Sequence, residues 1–145
     1  MIPSYFDSSV LLAIILDEER QKEAHLLWQN TIRCSSILLK IETIIGLRRC
    51  HQVNKNILDG DWLNRKTTIL EEYLNEVNFM LLDEKIERKI FLEKELAQCR
   101  SLDAIHTATA LNFREINNNE DINLFTFDKT MHNLARHYGF KTNNL

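Results

Sequence analysis

Short runs of β-branched and aromatic residues alternate along this chain with longer stretches whose apolar residues recur at helical spacing. Parallel strands must be joined by crossovers of a dozen residues or more, and helices usually supply them, so this alternation constrains the fold more than any other feature. It predicts an α/β protein, a three-layer sandwich with a central, mostly parallel sheet of four to five strands and helices on both faces. Strands are expected at 2–6, 31–36, 77–82 and 122–127, with 140–142 closing the sheet. Helices are expected from 10 (capped by Ser8 and Ser9), over 18–30, from 37, over 62–74 and 84–99, from 102 behind a Ser101 cap, and through 131–138. Three glycines and one proline leave few turns. Gly139 suits the left-handed position after a helix, while 54–61 and 117–121 read as polar connections.

Neither a repeat nor a linker interrupts the 145 residues, which suit one domain, 1–145, with a core of its own. A hydrophobic share of 44% beside 27% charged residues excludes a disordered chain. The longest apolar run, 10–16, is far short of the roughly 20 residues that span a bilayer. No basic stretch, apolar segment and cleavage site open the sequence, so a cytoplasmic location without a membrane partner is expected. Cys34, Cys50 and Cys99 lack metal or redox spacing and read as reduced thiols. A net charge of −3 argues against holding nucleic acid by bulk electrostatics. Any such partner must be held locally, and Lys40 with Arg48 and Arg49 are the candidates, with Arg65 and Lys66 as a second cluster.

Several acids fall where a parallel sheet gathers its ligands, outside the carboxyl ends of the strands. Asp7 and Asp128 each follow an expected strand, and Glu42 and Asp103 lie near the starts of helices that begin at the same edge. Carboxylates brought together repel, and one must hold a proton unless a cation joins them. An all-oxygen set suits Mg²⁺ or Mn²⁺ rather than zinc, and such an ion can promote phosphodiester hydrolysis. With 21 acidic residues in the chain, position alone leaves other sets of four open.

The local contexts narrow the choice: Tyr5-Phe6-Asp7-Ser8-Ser9, then Ser35-Ser36 followed by Leu38 and Glu42, then Ser101-Leu102-Asp103-Ala104-Ile105-His106-Thr107-Ala108-Thr109-Ala110, and Phe125-Thr126-Phe127-Asp128-Lys129 with Gly139 downstream. In order and spacing these resemble the PIN-domain family, in particular the toxin nucleases of VapBC-type toxin–antitoxin modules. The resemblance implies a PIN-like sandwich and a magnesium-dependent endoribonuclease. It further implies Asp7, Glu42, Asp103 and Asp128 as metal-binding acids, Ser9 and Thr126 as hydroxyls that orient a carboxylate or water, a small antitoxin protein as inhibitor, and a homodimer. Ser8 stands where threonine is common in the family.

Other readings carry less. His106 sits between apolar residues and is read as a packed core histidine rather than a partner of Asp103. His132 and His137 are five apart and do not share a helix face, Ser8 and Ser9 lack the glycine-flanked elbow of a nucleophile, and the scattered glycines exclude a nucleotide-phosphate loop. The apolar first helix with Trp28, Ile41 and Ile45 is expected to leave a groove for an amphipathic partner helix. Two rivals remain. One is a catalytically inactive PIN-like interaction module. The other is a receiver-type phosphoacceptor, which would need an acidic pair where Ser8 and Ser9 follow Asp7.

Overall fold

In the computed structural model, which describes residues 1–118 and 121–145, the first apolar run starts at a proline, where a missing ladder N–H is tolerated. The elements follow in the order β1 (Pro3–Phe6), α1 (Ser8–Ile15), α2 (Gln21–Trp28), β2 (Ile32–Ser36), α3 (Ile37–Val53), α4 (Trp62–Leu74), β3 (Asn78–Met80), α5 (Glu84–Leu92), a 3-10 turn (Lys94–Gln98), α6 (Ser101–Ile116), β4 (Asn123–Phe125) and α7 (Lys129–His137). Residues 119 and 120 of the polar connection expected at 117–121 lie outside the described residues. Among the described residues no helix is long and apolar enough to cross a membrane, and all three cysteines carry free thiols.

The sheet is parallel throughout, in the order β3-β2-β1-β4. The chain adds β2 and β3 on one side of β1, then crosses back through α5 and α6 to lay β4 on the other. The strand order therefore reverses between β1 and β4. Alternation along β1 sends Tyr5 and Phe6 to opposite faces. Phe6 joins Val10, Leu11, Ile14, Trp28, Leu39 and Leu70 in the larger core, its ring 4.7 Å from Trp28 and 5.5 Å from Phe125. Tyr5 and Leu124 face Leu111, Met131 and Phe140.

Four expectations are corrected. Residues 140–142 form no fifth strand, only a single bridge between Asn123 and Lys141. The cap of α1 is Asp7 rather than Ser8 or Ser9, because the side-chain oxygen must precede the amide it accepts from by two residues or three. Ser101 is the first residue of α6 and Arg100 its side-chain-silent cap. The helix expected over 84–99 breaks at Glu93. Continuing it would have turned Glu93 or Lys94 onto the stripe of Ile86 and Ile90, whereas the break delivers Leu96 to Ile86, Ala104 and Ala108.

Two glycines are needed where they stand. A Cβ on Gly46 would lie 3.0 Å from both methyls of Leu12, so this residue sets how closely α3 approaches α1. Gly139 ends α7 at φ 81°, with its N–H donating to Arg136 O and the Phe140 N–H donating to Ala135 O, both at 3.0 Å. That is the paired pattern of a left-handed helix terminus. A Cβ there meets nothing nearer than Arg114 at 3.9 Å, so only backbone strain opposes Gly139→Ala. Urea unfolding of that variant is expected to show a loss of about 1 kcal/mol at unchanged m-value.

Candidate active site

The reversal point between β1 and β4 places two strand ends side by side, and Asp7 stands in the gap. Its backbone N–H donates to Phe125 O. Its Oδ1 accepts from the Ser9 amide at 3.2 Å and the Ser9 hydroxyl at 2.6 Å, and its Oδ2 accepts from the Thr126 hydroxyl at 2.8 Å. Each hydroxyl is used twice. Ser9 Oγ also accepts from the Phe127 amide at 2.9 Å, and Thr126 Oγ1 from the Asp128 amide at 3.0 Å. The Asp7 carboxyl is buried. Burial pushes its pKa up to about 6, against the Ser9 hydroxyl, His106 and Thr126, which lower it, while the charge of Glu42 raises it further.

Asp128 caps α7, its Oδ1 accepting from the Met131 amide at 2.8 Å. Asp103 lies in the first turn of α6, where free N–H groups favour a negative side chain. Burial nevertheless raises its pKa, and Asp128 raises it further, with Arg100 acting in the other direction. The Arg100 guanidinium stands 3.4 Å from Asp103 and 3.9 Å from Asp128. Glu42, partly exposed on α3, meets Nε2 of His106.

Two of the four sequence-selected acids each feel the charge of another, Asp7 that of Glu42 and Asp103 that of Asp128, and His106 acts on both Asp7 and Asp103 in the opposite direction. Among the described residues no group of three or more His, Cys, Asp or Glu side chains is arranged to hold one metal ion as it stands. The chemistry of the donors fits a hard divalent cation all the same. They are carboxylates only, and two of them, Asp7 and Asp103, are held above their ordinary pKa first by burial and then by the charges of Glu42 and Asp128 respectively, a conflict that a cation relieves.

Sequence reasoning missed two contributors. His106 is a core residue, as expected, yet both its ring nitrogens are engaged, Nε2 with Glu42 and Nδ1 with the Tyr5 hydroxyl. Asn143, in the C-terminal tail, accepts from the Thr126 amide with Oδ1 and donates to Thr126 O with Nδ2, both at 2.9 Å. Its side chain takes the place of the next residue in a ladder and fixes the threonine that orients Asp7. Neither has a local signal, although a polar residue inside an apolar helical stripe is the hint that points to His106.

The basic candidates fall elsewhere. Lys40 and Arg48 line a cavity of about 590 Å³ between α3, α4 and β3, floored by Leu47, Leu70 and Phe79, and none of the four acids reaches it. Arg49 is exposed on α3. The expected groove needs correction too, since α1 and Trp28 are buried in the core while only Ile41 and Ile45 remain exposed. Continuous apolar residues on α1 let every side of it be covered, so its stripe is interior.

A PIN-domain family model matches residues 4–137. The chain belongs to the PIN domain family. Among solved structures, this PIN domain is similar to a chain of a toxin-antitoxin complex from Klebsiella pneumoniae, with a TM-score of 0.58 at 19% identity over 86% of each chain. At that identity the likeness speaks to the fold. Comparison with curated proteins gives no match.

Two outcomes are expected of this PIN domain. The Asp7 carboxyl has an ordinary pKa of 3.8 and a native one near 6, so between those values the folded chain retains a proton that the unfolded chain has released. Its contribution to stability therefore falls as pH rises through that window, by at most about 3 kcal/mol. Asp7→Asn removes the effect, and urea titrations in EDTA should show the variant gaining on wild type between pH 4 and pH 7. Asn143→Ala unpairs the buried Thr126 amide and should cost about 1–3 kcal/mol in the same assay.

Proposed function

We propose that this PIN domain is a metal-dependent endoribonuclease, the toxin of a toxin–antitoxin pair, acting on single-stranded or looped RNA. The observation that carries the reading is the buried Asp7 carboxyl at the strand-order reversal, oriented by Ser9 and Thr126 and interacting with Glu42. Membership of a family whose members are generally nucleases supports it. Asp7, Glu42, Asp103 and Asp128 are the residues that would hold Mg²⁺ or Mn²⁺. When bound, the cation lowers the pKa of its water and neutralises charge on the phosphodiester.

The chain's own groups then have separate tasks. Ser9 and Thr126 keep both oxygens of Asp7 oriented, His106 engages Glu42, and Arg100 tempers the repulsion between Asp103 and Asp128. Lys40, Arg48 and Arg49 stand apart from the acids, so in this reading they would meet RNA phosphates away from the cleaved bond, where a net charge of −3 otherwise disfavours binding. The Klebsiella pneumoniae chain comes from a toxin-antitoxin complex, which favours a small antitoxin protein as this chain's partner. Exposed Ile41 and Ile45 on α3 suit an amphipathic helix. A homodimer and a cytoplasmic location complete the proposal.

The deciding experiment incubates a labelled looped RNA with the protein and Mg²⁺ or Mn²⁺. Cleavage is expected for wild type, its loss with EDTA, and a drop of 100-fold or more in Asp7→Asn and Asp103→Asn. Saturating Mn²⁺ should also stabilise wild type by about 2.7 kcal/mol at 100 times Kd, and neither variant to that extent. Equal cleavage by all three proteins would reject these acids as the site, and no cleavage by wild type would reject the enzyme and favour an inactive interaction module.

A further inference from the structure

A buried chain of hydrogen bonds runs from the end of β2 through the middle of the sheet to Glu42. The Ser36 amide donates to the Tyr5 hydroxyl at 3.1 Å, and that hydroxyl lies 2.7 Å from Nδ1 of His106. Nε2 on the far side of the ring meets Oε1 of Glu42. Tyr5 is fully buried and His106 is 1% exposed, so solvent does not substitute for either ring.

Proton accounting gives this chain a direction. The phenolic oxygen accepts the Ser36 N–H and has one proton of its own to give; in the arrangement inferred here that proton goes to the ring, and Nδ1 is the acceptor. A neutral imidazole with Nδ1 unprotonated carries its hydrogen on Nε2. That hydrogen points at Glu42. The anchors are stiff: Tyr5 belongs to the central strand β1, and Ser36 is the residue that caps α3, its hydroxyl accepting from the Leu38 amide at 3.1 Å. Glu42 sits on that helix, so α3 and its cap supply the two ends of the relay while β1 and α6 supply its middle.

We propose that His106 is a positioning residue, whose Nε2–H tautomer, locked by Tyr5, holds one oxygen of Glu42 and leaves the other free to ligate a divalent cation. The role rests on the metal-dependent reading above, whereas the tautomer does not. A histidine that merely fills the core would need no particular tautomer, and its replacement would change stability without changing cation affinity at equal fold.

Two substitutions separate these possibilities. His106→Gln keeps an N–H donor at the ε position, and His106→Asn keeps an acceptor at the δ position but loses that donor. Calorimetric titration with Mn²⁺ is expected to show near wild-type affinity for His106→Gln and a loss of roughly 10- to 100-fold for His106→Asn, with both unfolding at similar temperatures. If neither variant folds, Tyr5→Phe, which removes only the hydroxyl, should weaken Mn²⁺ binding in the same direction. Side-chain nitrogen NMR of the metal-free wild type should find Nδ1 unprotonated and Nε2 protonated. A proton on Nδ1 overturns the proposal, as does equal Mn²⁺ affinity in His106→Gln and His106→Asn beside a wild type that binds. A wild type that binds no Mn²⁺ instead overturns the metal-dependent reading, and the role of His106 with it, while leaving the NMR result intact.

Discussion

One buried carboxylate, that of Asp7, organises the edge of the sheet on which the candidate site is built. A charge taken out of water is costly unless hydrogen bonds replace its hydration, and here the replacements come from two hydroxyls and an amide. Because Ser9 and Thr126 each also accept an amide from the β4–α7 corner, the same bonds that keep Asp7 in place fasten two chain segments separated by more than a hundred residues. Loss of the Thr126 hydroxyl would leave Asp7 Oδ2 and the Asp128 amide unmet together, and loss of the Ser9 hydroxyl would leave the Phe127 amide unmet and Oδ1 with the Ser9 amide alone. The corner is therefore over-determined, which is what a site needs if its geometry is to be independent of the mobility of the surface around it.

Topology explains why an acid stands there at all. In an order β3-β2-β1-β4 the crossovers diverge on either side of β1, so among the described residues no crossover passes over the gap above β1 and β4, and helices start around it. Asp7 and Asp128 each cap a helix at this edge, and Asp103 sits in the first turn of another. Helix dipoles favour these charges while burial and mutual repulsion oppose them, and for Asp7 and Asp103 the raised pKa shows that the second effect wins. Capping does not compete with a cation for the same lone pairs, since each carboxylate has more acceptor sites than its caps occupy. The structural role and the proposed chemical role of these acids are compatible.

Much of this was legible in the residues. The strand running up to Asp7, the bounds of α4 at 62–74, and the left-handed Gly139 follow from local rules of periodicity, punctuation and backbone conformation, whereas β4 ends at Phe125, short of the expected 127. What was not legible depends on partners distant in sequence. His106 reads as core because its neighbours on α6 are apolar, and its bond to Glu42 spans 64 residues. Asn143 lies in a tail without periodicity, and its ladder-like bonds to Thr126 exist only once β4 is in place. The burial of α1 and Trp28 escaped for a related reason. An apolar helix face is written alike whether its partner lies within the chain, as α3 and α4 do here, or outside it.

The distribution of charge then bears on how such a site could meet the RNA proposed as its substrate. Lys40 and Arg48 stand over the cavity beside α4, away from the acids, and Arg100 lies directly across Asp103 and Asp128. Arg100 is highly exposed, and an exposed pair at these distances is worth at most about 1 kcal/mol, so it lessens the repulsion of the acids without holding them shut. Approach of a phosphate to bare carboxylates would be repulsive, and the surface cations are too few and too scattered to reverse that by themselves. The acids must be neutralised locally before the backbone of a nucleic acid can rest against them. On the proposed reading Asp7, Glu42, Asp103 and Asp128 recruit the cation that does so, and binding of metal and of phosphate are then one coupled event.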